Sequence, residues 1–421
     1  MNTLRVLSPL SVQHYRRLFA AMVLAVFGQG AWALYLAMQT LELGATPADL
    51  STVVVWSGVG LLLWSLPAGV VADRLPQRTI LIGVMTLNAV AAAVTTWLAW
   101  SEAVTFWQLG LSAFLIGAST AFFFPAYTAL VPTLVEADEL MAVNGLEGAA
   151  RPVIGQAAAP AVIGAVIGAS VPPVGGLVIT LAFLMAVLCV VGLPVQVRLE
   201  NGGREDSRPH PLRDLVGGFA YVARTPWVAV SVVFAAMMGL LVVGPLEVLL
   251  PALLREGHEN GAAVYGMILA AVGIGGLVGS LIMGSLRTPQ HVLPWMIGLW
   301  AVGCVPFALV AVTLHPWVLG TGLLVYGALI GAGMVIWGTA LQERVPLDYL
   351  GRVASLDFFV SIAFMPLSIS VTGLLAERLG TGTLFVAAGA GPAAVGLVLL
   401  MAWALIRRSR RRPGGNGRGC A

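Results

Sequence analysis

Twelve long apolar runs divide the chain, and each can cross the hydrocarbon core of a bilayer, which takes about 20 apolar residues as a helix. With 59% hydrophobic and only 10% charged residues, the chain has too little charge to cover a soluble surface. We therefore predict a polytopic membrane protein, and no cleavable signal pattern marks the first run. The runs lie at residues 15–38, 48–72, 78–100, 104–130, 140–169, 174–194, 226–253, 261–285, 291–313, 316–342, 350–376 and 381–406.

The positions of the arginines predict the orientation of these spans. All 22 basic residues are arginine, and basic loops remain on the cytoplasmic side of a membrane. If the N-terminus is inside, all arginines fall on the inner side except Arg151, within a span, and Arg255 and Arg378. We expect a multi-pass protein of the cell inner (plasma) membrane with both termini in the cytoplasm.

The chain reads as two similar halves. Residues 74–78 (RLPQR) return as residues 287–291 (RTPQH), and Leu146-Glu147 returns as Leu356-Asp357. Such echoes indicate a duplicated six-helix unit, as in many secondary transporters, although chance similarity between apolar sequences is the alternative. The expected divisions are a six-helix bundle at 1–194, a cytoplasmic linker with an amphipathic helix at 195–225, a second six-helix bundle at 226–406 and a basic cytoplasmic tail at 407–421.

One charged stretch between the second and third spans stands out. It contains Gly69, Asp73, Arg74 and Arg78. Because a charge at the bilayer centre costs about 2.5–3.5 kcal/mol even on the mildest scale, these groups should lie in a short loop at the membrane surface. There they could pair with each other or with a neighbouring helix. A polar loop that only follows the positive-inside rule is the alternative.

This stretch resembles the loop G-x-x-x-D-R-x-G-R-R/K of the major facilitator superfamily, from which Pro76 and Gln77 depart. Residues 124–146, 265–276 and 351–356 are similar to the branch of that superfamily that includes enterobactin exporters and macrolide efflux proteins. The resemblance implies an all-α fold of twelve transmembrane helices in two pseudo-symmetric six-helix bundles, with transport of a small molecule as the activity.

The fifth span carries a second, partial resemblance. Gly155, Pro160 and Gly164 follow the antiporter motif G-x-x-x-G-P-x-x-G-G, but Ala159 and Ile163 replace two of its glycines. The match favours export as the direction of transport.

Ionisable residues inside spans predict a cytoplasmic gate. Glu147 and Arg151 are four residues apart on one helix face and can neutralise each other, while Arg352 and Asp357 lie near the inner end of the eleventh span. An intramembrane charge indicates function when its partner can be named. We expect Asp73, Arg74 and Arg78 to pair with groups at the inner ends of the fifth and eleventh helices, and the resemblance implies this role for Asp73 and Arg74. A permanent structural ion-pair network is the alternative.

Glu247 is the predicted proton-coupling residue. It lies in the outer part of the seventh span, between Pro245 and Pro251. Two prolines free backbone carbonyls and bend a helix, which is tolerated where the backbone lines a cavity. The alternative is an acid that only reaches the outer headgroups.

Several polar or aromatic residues at mid-depth are candidates for lining a substrate cavity. For each candidate the alternative is a role in helix–helix packing. For Phe124, contact with lipid is a further alternative. The candidates are Gln29, Trp32, Tyr35, Phe124, Asn144, Gln156 and Trp337.

Together these features predict a proton-coupled exporter of an amphipathic small molecule, either drug-like or macrolide-like or siderophore-like, that works by alternating access. The alternatives are an importer of a small metabolite and a transporter-like ligand sensor. Catalytic motifs, a Walker A sequence and metal-binding spacings are missing from the sequence, so we expect no enzyme, no metal and no cofactor besides the proton gradient. The expected partners are the substrate and the lipid bilayer, without nucleic acid, and we expect a monomer.

Overall fold

The computed structural model describes residues 5–44, 47–194 and 211–411. These ranges contain no strand and include 12 helices that are long and apolar enough to span a membrane, so the predicted fold class is confirmed. The spans, here α1 to α12, are Gln13–Glu42, Thr52–Arg74, Gln77–Trp100, Phe106–Thr133, Ala137–Ala169, Pro172–Val191, Pro226–Leu254, Val264–Gly284, Val292–Ala311, Pro316–Arg344, Leu347–Leu379 and Thr381–Ala404.

Two spans are not regular α-helices throughout. α5 contains a π-helical segment at Val153–Ala158, and α7 contains one at Pro245–Leu249. A proline is adjacent in each case, Pro152 before the first segment and Pro245 at the start of the second. Because proline lacks a backbone N–H, it breaks the regular hydrogen-bond ladder, and π-helical turns are frequent at functional sites.

The stretch predicted to be a loop after the second span is mostly helical, which corrects that prediction. α2 continues to Arg74 and α3 begins at Gln77, so only Leu75 and Pro76 connect them. Asp73 therefore occupies the last turn of a helix, which fixes the direction of its side chain.

The linker between the halves is described only in part. Residues 195–210, together with residues 412–421 of the predicted tail, lie outside the described residues. A helix at Pro211–Arg224, here the linker helix, precedes α7, and its apolar residues concentrate on one face.

The hydrophobic cores show where the two halves meet. One buried cluster contains only residues of α1 to α6, among them Trp32, and another only residues of the second half, among them Phe385. A further cluster of the second half also includes Ala129 and Met141 of the first. This shared core lies at one end of the molecule, here the arginine-rich end, which carries Arg16, Arg17, Arg74, Arg78, Arg287 and Arg344.

Hydrogen bonds between the halves follow the same pattern. Among the described residues, those that cross from one half to the other all involve the part of each helix nearest the arginine-rich end. The deepest of them links Ser355 of α11 to Ser65 of α2. The halves are thus tied together at the arginine-rich end.

Candidate functional site

The most strongly charged contact between the halves joins the end of α2 to the start of α11. Asp73 is only 4% exposed. Its Oδ2 lies 2.7 Å from Nε of Arg352, and its Oδ1 accepts a 2.9 Å hydrogen bond from the backbone N–H of Gly351. A buried carboxylate is stable only when paired and hydrogen-bonded, and Asp73 obtains both from the opposite half. We call Asp73, Gly351 and Arg352 the charge latch.

Two glycines let these helices approach closely enough for the charge latch to form. A Cβ on Gly69 would lie 2.5 Å from Cβ of Ser355, and a Cβ on Gly351 would lie 2.5 Å from Oδ1 of Asp73. A side chain at either position would therefore push α2 and α11 apart. Ser355 strengthens the contact by donating its hydroxyl to the backbone carbonyl of Ser65.

The linker helix packs over the charge latch. The guanidinium of Arg352 lies 5.3 Å from the ring centre of Tyr349, a distance suited to a cation–π contact. Tyr349 in turn stacks on Tyr221 of the linker helix, with ring centres 4.9 Å apart. Gly218 of the linker helix faces the side chain of Arg352. The connection between the halves is thereby in contact with the residue that holds them together.

A second contact between the halves joins α5 to α8 and carries no charge. Here Gly145 and Gly284 face each other so closely that a Cβ on either would overlap the backbone of the other. We call this pair the glycine contact. Beside it, Nδ2 of Asn144 donates to Oε1 of Gln342 at 2.7 Å and to Oγ1 of Thr339 at 3.2 Å. Asn144, a predicted cavity residue, thus links α5 to α10.

Glu147 is at the centre of a buried polar cluster within the first half. It is 3% exposed and accepts hydrogen bonds from Tyr127 (2.6 Å), Tyr15 (3.2 Å) and Nη2 of Arg151 (2.8 Å). The predicted neutralisation of Glu147 by Arg151 is present. Of the two helices expected to pair with Asp73, the fifth and the eleventh, the eleventh supplies Arg352 and Gly351, while Glu147 has side-chain hydrogen bonds with Tyr15, Tyr127 and Arg151.

Asp357 occupies the position in the second half that corresponds to Glu147. Nε1 of Trp337 donates to its Oδ2 at 3.0 Å. Donor and acceptor are 20 residues apart in the chain, as Tyr127 and Glu147 are in the first half. The position that corresponds to Arg151 is Ser361, whose hydroxyl donates to the backbone carbonyl of Asp357 at 2.9 Å. The two halves therefore share an aromatic donor and an acid, but differ in the basic partner.

Arg78, predicted to be part of the gate, bonds within its own half. Its Nη2 donates to the carbonyl of Val191 at 2.7 Å and its Nε to that of Val190 at 3.3 Å. These carbonyls end α6, where a cation is favourable because of the helix dipole. Arg78 therefore ties α3 to α6 and does not contact the second half. Arg74 is half-buried at the end of α2.

Two of the predicted cavity residues on α1 are buried in the core of the first half, which corrects the prediction for this state. Trp32 is 3% exposed and Tyr35 is fully buried, with their ring centres 5.4 Å apart. The glycines beside Gln29 also have packing roles, since a Cβ on Gly28 would lie 2.6 Å from Cζ of Phe183. Gln29 itself is half-buried.

The remaining candidates on α4 and α5 occupy different surroundings. Phe124 is half-buried and reaches the second half, with its ring centre 5.4 Å from that of Phe358. Gln156 is exposed in the π-helical segment of α5. Gly155, in the same segment, packs against Gly30 of α1, and Gly164 faces Leu34.

Pro160, the last member of the antiporter-like motif, follows the π-helical segment and is half-buried. The first and last positions of the motif thus serve contacts between α5 and α1 within the first half.

Glu247 is exposed and lies in the π-helical segment of α7. Tyr265 of α8 donates its hydroxyl to the backbone carbonyl of Leu246, next to Glu247, at 3.4 Å. Among the described residues, no ion pair joins Glu247 to a basic side chain. Within the described residues, no cluster of three or more His, Cys, Asp or Glu side chains is arranged to hold a metal ion.

Sequence reasoning missed several residues of these clusters. Tyr15 and Tyr127 hold Glu147, Ser65 accepts the hydrogen bond from Ser355, and Tyr221 supports the charge latch. A signal existed for Tyr127, because it precedes Glu147 by the same interval at which Trp337 precedes Asp357.

The sequence model of one protein family, described as a transmembrane secretion effector, matches residues 5–410. This covers almost the whole chain. The chain belongs to this family. With the fold described above, membership makes the protein a transporter of the major facilitator superfamily, not an enzyme, and such transporters bind small-molecule substrates within the membrane.

This chain is similar to two kinds of exporter. The enterobactin exporter EntS of Escherichia coli O1:K1 is 23% identical over 405 residues, which cover 95% of this chain and 94% of the relative. Macrolide efflux protein A of Streptococcus pyogenes is 25% identical over 331 residues, which cover 76% of this chain and 79% of the relative.

Solved structures resemble this chain over most of its length. A bacterial homologue of the iron transporter ferroportin, in an outward-facing state, has a TM-score of 0.73 at 18% identity and covers 93% of this chain and 99% of its own. The E. coli fucose:proton symporter has a TM-score of 0.67 at 13% identity, and the match covers 91% of this chain and 97% of the symporter. At these identities the likeness shows the major facilitator fold alone.

Proposed function

We propose that this protein is a secondary active exporter of the bacterial inner membrane. In this proposal it moves an amphipathic small molecule out of the cytoplasm by alternating access, driven by the proton gradient. The observation that carries the proposal is the contact between the halves, which is tied at the arginine-rich end by the charge latch. The names of the relatives, an enterobactin exporter and a macrolide efflux protein, support export as the direction.

The arginine-rich end faces the cytoplasm in this proposal, because basic residues are retained there during membrane insertion. Contacts that tie the halves together at the cytoplasmic end close the substrate space on that side and allow it to open to the outside. This structure is then the state from which substrate leaves the cell.

To reload from the cytoplasm, the protein must break the contacts at the inner end. The charge latch is suited to this role, because Asp73 and Arg352 are on different halves and separate as the halves rotate apart. Their charges become solvated by cytoplasmic water in the inward-open state, which lowers the cost of separation. Glu147 and Arg151 stay together throughout, since they are on one helix.

Glu247 is the proposed proton carrier. Its carboxylate is exposed from α7 in the outer part of the second half, where an outward-open space admits protons from outside. The adjacent π-helical segment gives the helix a place to change shape as the carboxylate gains or loses a proton. A proton bound here from outside and released to the cytoplasm would drive one cycle of export.

The test is transport in inside-out vesicles that contain the purified full-length protein. A panel of dyes, macrolides and catecholate siderophores is offered with and without a proton gradient, acidic inside. We expect one class to accumulate only with the gradient, and Glu247→Gln to abolish the dependence on the gradient. Glu256→Gln, the same change at an exposed acid just beyond the end of α7, is the control for general effects of removing a carboxylate.

Three outcomes would contradict the proposal. Accumulation in right-side-out vesicles only would identify an importer. Saturable binding without accumulation under any gradient would identify a ligand sensor. Export with an unchanged response to the gradient in Glu247→Gln would remove the proton role of Glu247.

A further inference from the structure

Among the described residues Asp357 has no basic partner, which distinguishes it from Asp73 and Glu147. Glu147 is paired with Arg151 and Asp73 with Arg352. Asp357 accepts a side-chain hydrogen bond from Trp337, and no ion pair joins it to an arginine or histidine of the described residues. Because an uncompensated charge within a membrane protein is expensive, it is usually retained for function.

The first half has an arginine beside its acid, and the corresponding position of the second half does not. Position 361 corresponds to Arg151, and it holds Ser361 in place of an arginine. The rest of the arrangement is retained: an aromatic donor on the preceding helix, and an acid 20 residues later. The first half thus contains a neutralised acid, and the second half contains the same acid with its cation missing.

The surroundings of Asp357 are aromatic. Trp337 donates to the carboxylate, and Trp227 packs edge-on against Trp337 with ring centres 6.0 Å apart. The next residue of α11, Phe358, packs against Phe124 of the first half. Asp357 is half-buried, so the residue is partly open, while Trp337 beside it is only 4% exposed. Aromatic faces together with one carboxylate are the chemistry that recognises an organic ammonium group.

We propose that Asp357 binds the cationic group of a monocationic amphiphile, with the surrounding rings as its apolar floor. This inference rests on the proposed function and specifies its substrate class. Arg352 pairs with Asp73 and Arg151 with Glu147, so neither of these arginines neutralises Asp357. The site therefore has one net negative charge, which one cation neutralises and which disfavours an anionic catecholate.

The test uses two probes of the same shape and opposite charge, tetraphenylphosphonium and tetraphenylborate. Binding to the full-length protein in lipid nanodiscs is measured by calorimetry, with empty nanodiscs as background. We expect the phosphonium to bind more tightly than the borate. Asp357→Asn should weaken phosphonium binding about 30-fold or more, because it removes one member of a desolvated charge pair. Borate binding should not weaken.

A second pair of variants leaves Asp357 in place. Ser361→Arg adds the cation that the first half has, and it should also weaken phosphonium binding at least about tenfold. Ser361→Gln, of similar bulk and no charge, is the matched control and should bind nearly as the wild type does. The inference is overturned if Asp357→Asn binds the phosphonium as tightly as the wild type, or if the Arg and Gln variants behave alike.

Binding and transport separate this inference from the proposed function. Phosphonium binding that depends on Asp357, in a protein that exports nothing under any gradient, would refute the exporter and keep the cation site. Gradient-driven export of a cationic macrolide that is unchanged by Asp357→Asn would refute the cation site and keep the exporter.

Discussion

The two contacts that join the halves at the arginine-rich end are built from different chemistry. Between α2 and α11 the contact is the charge latch of Asp73 and Arg352. Between α5 and α8 it is the glycine contact of Gly145 and Gly284. When residues 74–78 are aligned with residues 287–291, Asp73 corresponds to Leu286. When Leu146-Glu147 is aligned with Leu356-Asp357, Arg352 corresponds to Ala142.

This difference indicates that the two related contacts have different roles. An ion pair loses strength steeply when water enters or a partner moves away. Glycines that face each other have no such dependence on solvent, and they hold through close packing alone. We therefore expect the charge latch to determine whether the inner end is open, while the glycine contact limits how closely the halves can approach.

The largest expected effect comes from breaking the charge latch. Asp73→Asn leaves Arg352 without its buried partner, and removing one member of a buried pair costs about 3–5 kcal/mol. We expect the variant to be inserted normally, to populate the inward-open state and to lose most of its export. Initial rates in inside-out vesicles measure the loss.

The charge-swapped double variant, Asp73→Arg with Arg352→Asp, is the control for this prediction. It restores opposite charges across α2 and α11 and should recover part of the export. Wild-type export by Asp73→Asn, at normal expression, would show that the pair is only structural.

A smaller effect is expected at the glycine contact. Gly145→Ala places a methyl group against the backbone of Gly284, and overpacking of this kind costs about 1–3 kcal/mol. Closure of the inner end should be weakened at any ionic strength. Gly83→Ala is the matched control, because a Cβ there meets open space. Equal export by the two variants would contradict a close-packed contact.

The cluster around Glu147 should affect stability without affecting the gate. Tyr127→Phe removes the shorter of two hydrogen bonds to Oε1 of Glu147 and leaves the one from Tyr15, and a hydrogen bond to a charged group contributes about 1.5–3 kcal/mol. We expect a lower melting temperature in detergent, with the ratio of inward-open to outward-open protein unchanged. A shift in that ratio would show that this cluster, like the charge latch, participates in gating.

The smallest expected effect lies in the linker helix. Tyr221→Ala removes the ring that stacks on Tyr349 beside Arg352, and such aromatic pairs contribute about 0.5–1.5 kcal/mol. A modest decrease in export should result, and Tyr221→Phe should restore it because the ring is kept. If both variants lose export equally, the hydroxyl and not the stacking matters.

The fold could be predicted from the sequence because spanning a membrane is a local property of each apolar run. Twelve runs predicted twelve helices, and the structure has them. The π-helical segments at Val153–Ala158 and Pro245–Leu249 were not predicted, since hydropathy does not report which carbonyl each N–H bonds. The adjacent prolines Pro152 and Pro245 were the available signal.

The candidate site was predictable only in part. Asp73 attracted attention because it is a charge beside apolar runs, but its donor Gly351 is 278 residues away and is brought to it by packing. Trp32 and Tyr35 were assigned to a cavity incorrectly for this state. On a membrane helix the faces toward the core and toward a cavity are both apolar and aromatic, so composition does not distinguish them.

The most direct test of the gate is a distance measured across the charge latch. Spin labels can be introduced at two exposed positions beside the charge latch, Leu75 directly after α2 and Leu347 at the start of α11, once the 3 cysteines are replaced. Double electron–electron resonance then gives the distribution of distances in nanodiscs.

We expect the wild-type protein to show a dominant short distance and Asp73→Asn to show a larger population at a longer one. Identical distributions in the two proteins, with and without a transported substrate, would mean that the pair between Asp73 and Arg352 does not control the opening of the inner end.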